Sequence, residues 1–181
     1  MTEYQGAPGG FTPEQRQGHR DLTGIMDRIA GAVHQAVLGV YGPEGTLPAP
    51  YALAGARVLA FYGVPVIPQA GIIAAVTKTS TQPIGYWVWM ARDPAADPVA
   101  GIEIADFAMR HLPAAITGAG ITWDLQPPPL WYCGGVSGLA SFGIRYQAEE
   151  GSREAVEQLA PDGIAETVTS AVLILSKGGP G

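Results

Sequence analysis

The chain reads as an α+β domain, on three observations. A long amphipathic segment near the N-terminus is followed by β-rich runs in the middle, and two further helical segments close the chain. Helices first, antiparallel strands next and helices last argue against a βαβ alternation and for N-terminal helices packed on a central antiparallel sheet. The 181 residues are 47% apolar and 14% charged, which suits one globular core despite 25 Gly and 16 Pro. The expected organisation is a flexible tail over 1–12, one domain over 13–178 and a short tail over 179–181.

The first helix opens at Thr12 as N-cap, with Pro13 at its first position and Glu14 in its first turn. Leu22, Ile25, Met26, Ile29, Val33 and Val37 recur at three- and four-residue steps and form its apolar stripe. The second helix, PYALAGARVLAFYG, is built of small residues, is expected to be buried and ends at Gly63. VPVIPQAGIIAAVTK and IGYWVWMA then read as a β-hairpin around the polar turn TSTQP. In the second strand Trp87 and Trp89 share one face while Tyr86, Val88 and Met90 share the other, so both faces are apolar, as in a strand covered on two sides. GIEIAD is a third strand, and FAMRHL a short helix stopped by Pro113. Further strands are expected at ITWDL, LWYC and FGIRYQA, and closing helices at SREAVEQLA, capped by Ser152, and DGIAETVTSAVLILSK.

Composition excludes several classes. Sixteen acidic against ten basic side chains leave a net charge of −6, without the basic footprint of a nucleic-acid binder. The single Cys133 rules out an intrachain disulfide framework and any zinc site built on paired cysteines, and points to a reducing, cytoplasmic setting. The most apolar C-terminal run is far shorter than the ~20 residues a membrane helix needs. His19, His34 and His111 lack the spacing of a helical metal pair, and Glu103 and Asp106 point to opposite faces of a regular strand, so no metal and no cofactor is expected.

The pieces YALAGARVLAFYGVPV, GYWVW and GIEIAD resemble, in order and separation, the transglutaminase-like branch of the papain-like cysteine-enzyme superfamily. In that family a Cys opens the helix, a His begins the second strand and an Asp lies on the third. The resemblance places Pro48, or Ala49 or Pro50, at the Cys position, Gly85 or Tyr86 at the His position, and Asp106 at the Asp position. Only the carboxylate is kept, and a carboxylate alone performs neither proton-handling step of such a triad. The resemblance therefore implies a degenerate, non-catalytic domain serving as a binding or regulatory protein. Its partner would be another protein or a small apolar ligand, held in the old cleft by Tyr86, Trp87, Trp89 and Asp106.

Two alternatives stand beside this reading. One is an enzyme with a relocated site acting on a small apolar substrate. Its nucleophile would be Cys133, with His111 or His34 as base and Arg145 as the neighbouring cation, or Asp106 would act as acid/base. The other is an assembly protein, a homodimer formed through an aromatic sheet face if Trp87 and Trp89 point outward.

Overall fold

In the computed structural model the described residues are 13–43, 48–76, 79–97, 101–121, 129–149, 152–158 and 162–177, with the backbone alone for 13–23, 152 and 153. Thr12, the expected tails at 1–12 and 179–181, Trp123 and residues 122–125 of the expected ITWDL strand lie outside them. The fold is α+β. Helix α1 (Pro13–Tyr41) leads to α2 (Pro48–Phe61), then to the hairpin β1 (Val66–Val76) and β2 (Thr81–Arg92), and to β3 (Ile104–Asp106). A 3₁₀ turn over Met109–His111 runs into α3 (Leu112–Gly118). Strand β4 (Tyr132–Gly134), α4 (Val136–Ala140), β5 (Ile144–Ala148), α5 (Ser152–Gln158) and α6 (Ile164–Lys177) complete the chain.

The five strands form one antiparallel sheet in the order β4-β3-β2-β1-β5. Pro68 is tolerated inside β1 because β5 pairs only from Gly71 onward, so no second neighbour needs the missing N–H. Between Ile73 and Ala74 the hairpin register slips, leaving Ile84 as an extra residue of β2. Gly85 beside it takes a φ of +153°, a conformation that side-chain-bearing residues rarely adopt.

Helix α2 lies between the sheet and the pair α1 and α6. It is surrounded, which is why it is made of small residues: Pro50 to Ala56, Val58 and Leu59 are all buried. A Cβ on Gly55 would sit 2.9 Å from both Met90 Sδ and Phe107 Cδ2, so the helix approaches the sheet as closely as glycine allows. Along α1, Met26, Ile29, Val33 and Val37 are buried as expected, with Ala30 and Ala36 joining them, whereas Ile25 falls off the stripe and is 42% exposed. Pro113 does not stop a helix. It occupies the first turn of α3, where its missing N–H costs nothing, and the helix runs on to Gly118. Among the described residues no helix is long and apolar enough to cross a membrane.

Candidate functional site

The residues of the expected triad occupy three different environments. Pro48, Ala49 and Pro50 open α2 and supply no nucleophile. Gly85 sits at the bulge in a backbone geometry that a histidine would strain to adopt. Tyr86 projects from the face of β2 opposite Trp87 and is 50% exposed. Neither of the two positions where the resemblance would place a histidine can thus bring an imidazole to Asp106 without rebuilding the hairpin.

Asp106 is instead the centre of a buried clasp. Its Oδ2 accepts the indole N–H of Trp87 at 2.9 Å and the hydroxyl of Tyr146, and its Oδ1 accepts the backbone N–H of Ala108 at 2.8 Å. The Ala108 bond is an Asx-type turn that starts the descent from β3 into the 3₁₀ turn. Tyr146 lies on β5 and Asp106 on β3, with β2 and β1 between them. A flat sheet would hold those strands about 14 Å apart, so the bond reports a sheet coiled around its Trp87 face. The Trp89 ring, edge-on to Tyr146 with centroids 4.9 Å apart, fills that concavity.

Burial pushes the Asp106 carboxyl up to about 6, although all three hydrogen bonds pull it down. The Tyr146 phenol is driven well above its ordinary value by burial and by the facing carboxylate. Asp106, Trp87 and Trp89 are 1%, 6% and 3% exposed, so these three expected ligand residues meet as packing, and Tyr86 is separated from them by the sheet. The indoles do not point outward, and the expected aromatic association face is not formed by them.

Cys133 pairs across from Ala105 in β4, a sheet edge. Burial pushes its thiol up to about 12, and no cation or imidazole among the described residues pulls it back. Arg145 is exposed on β5, at the other edge of the sheet from β4. Glu103, rather than sharing a metal with Asp106, accepts the Val136 N–H at 3.1 Å at the start of α4. Among the described residues no three His, Cys, Asp or Glu side chains gather as metal ligands.

His34 and His111 do come together, but around Tyr51 and not around Cys133. The Tyr51 hydroxyl lies 2.8 Å from His34 Nδ1 and 3.1 Å from His111 Nε2. His34 stacks on the phenol ring and His111 meets it edge-on. One hydroxyl has one proton, so it donates to one imidazole and accepts an N–H from the other. Burial, then the neighbouring Arg110, lowers both histidines, with His111 adding to the effect on His34. The sequence hid this cluster because its members stand 17 and 60 residues apart. The one local signal was a tyrosine in the first turn of an otherwise small-residued, buried helix.

A cleft of about 370 Å³ lies elsewhere, between α2, β1 and α5. Leu53, Ala56, Val66 and Pro68 give it apolar walls, and Arg57 and Glu157 stand in it as charged groups. That size is within the range of small-molecule sites.

No protein-family model matches this chain, and no curated protein does. Among solved structures it is similar to the crystal structure of a genomics target, with a TM-score of 0.50 and 14% sequence identity over 79% of this chain and 76% of that one. The likeness concerns the fold alone.

Proposed function

We propose that this chain is a non-catalytic binding protein, built on a transglutaminase-like core that has lost its thiol and imidazole, and that it takes a small, largely apolar ligand in the cleft between α2, β1 and α5. The observation that carries the reading is the surroundings of the two groups on which a relocated enzyme would depend. The Asp106 carboxyl accepts three donors while His34 and His111 are bonded to Tyr51, and burial pushes the Cys133 thiol up to about 12. A ligand is favoured over assembly through the sheet because Trp87 and Trp89 are consumed by the chain's own packing.

An anilinonaphthalene sulfonate dye tests the cleft, offering apolar rings and one anionic group for Arg57. Saturable binding to one site per chain is expected, weakened at least about tenfold by Ala60→Trp, which fills the cleft from an exposed position. Dye binding unaffected by Ala60→Trp, or turnover of an amide or ester probe that vanishes in Cys133→Ser, would overturn the reading.

A further inference from the structure

The cluster around Tyr51 is short of a negative charge. Arg110 precedes His111 in the 3₁₀ turn and lies close enough to perturb His34, Tyr51 and His111 electrostatically. Its guanidinium is half-buried, and its Nε–H is buried without any acceptor. Burial lowers its pKa from the ordinary value, and the neighbouring Tyr51 phenol opposes that shift. Asp27, two turns before His34 on α1, accepts the Trp131 indole N–H at 3.0 Å, and no hydrogen bond among the described residues joins it to the cluster. The groups facing one another from α1, α2 and the 3₁₀ turn are therefore two imidazoles, a phenol and a guanidinium, with no carboxylate among the described residues bonded to any of them.

A partly buried arginine is ordinarily paired, because an uncompensated charge away from water is costly. The surroundings reinforce the shortage. Tyr51 is in the first turn of the 14-residue α2, whose N-terminal end carries a partial positive charge. A metal ion would be repelled by Arg110, whereas an oxyanion would meet a planar donor fork and the outer N–H of a neutral imidazole. His34, Arg110 and His111 are each partly exposed, so the cluster is open at its edge, while Tyr51 at 1% exposure forms its floor.

We propose that His34, Tyr51, Arg110 and His111 form a binding site for the oxyanion group of a small molecule, a phosphate or a carboxylate, distinct from the apolar cleft. Arg110 supplies the charge and the fork, one imidazole N–H adds a directional donor, and Tyr51 fixes both rings in orientation. No bond is made or broken.

The test is titration of the intact protein with inorganic phosphate and, separately, with acetate at constant ionic strength, following the imidazole NMR signals of His34 and His111. Saturable shifts of both signals in the millimolar range are expected for at least one ion, and the tighter ion names the class. Arg110→Gln should weaken binding at least about tenfold. Should that variant not fold, Arg110→Lys, which keeps the charge but not the fork, should still weaken phosphate measurably. Neither ion giving a saturable response, or the response persisting unchanged when Arg110 is replaced, overturns the site. Loss of this site leaves the apolar-cleft reading standing, and Cys133-dependent turnover would overturn that reading without touching this one.

Discussion

Replacing Asp106 by Asn tests whether the buried carboxyl is a structural clasp. The side-chain shape is kept, but an amide cannot serve all three donors. With its oxygen toward Trp87 and Tyr146, its NH₂ confronts the Ala108 N–H; flipped, its NH₂ confronts the Trp87 indole N–H. Either way a buried donor faces a donor, and two unmet donors cost about 3 kcal/mol together. For a chain of this size that lowers the melting temperature by about 6–12 °C. The gap also depends on pH, with a definite sign. The native carboxyl titrates at about 6 against an ordinary 3.8, so the folded state holds a proton that the unfolded state has released. Its contribution is fully present below about 3.8 and is lost as pH rises through about 6, a decline of about 3 kcal/mol that the amide does not share. Thermal melts of both proteins from pH 4 to 7.5 should show the wild type ahead at the acid end and the lead shrinking through pH 6. A gap that is flat or widens with rising pH would refute the account of the clasp.

Other perturbations have equally specific outcomes. Tyr146→Phe removes a hydrogen bond that favours the ionised Asp106, so the midpoint of the pH-dependent stability loss should move above 6; an unmoved midpoint in the melts would count against the bond. Tyr51→Phe deprives both imidazoles of their shared partner and should cost about 1–2 kcal/mol in urea unfolding with an unchanged slope. Gly71→Ala would drive a Cβ into the Gln147 carbonyl and to 2.8 Å from the Trp89 ring. It should cost about 3 kcal/mol by parting β1 from β5, seen as early amide exchange in β5.

Much of the fold is legible in the sequence because it is written in local periodicity. The stripe of α1 carries a period of 3.6, the run of small residues in α2 marks a helix buried on all sides, and the β-branched and aromatic content of the hairpin marks its strands. Where local signals mislead, tertiary geometry is the cause. Pro113 looks like a terminator and is a first-turn residue, and Ile25 fits the stripe but lies beyond the surface that α2 and α6 cover. The sites are less legible. Both faces of β2 read as apolar, but nothing local says that the sheet coils until β5 reaches the Asp106 of β3. The histidines look scattered in sequence, and only the packing of α1 and the 3₁₀ turn around Tyr51 makes them one cluster.

Whether Cys133 is an activated nucleophile is decided by its alkylation rate with iodoacetamide in the folded and the urea-unfolded protein across pH 6–10. With the native thiol at about 12 against an ordinary 9.0, the folded protein should react about 10³-fold more slowly at pH 8, its rate still rising at the top of the range. A native rate equal to or above that of the unfolded chain, levelling off below pH 8, would reveal a thiolate and contradict the account.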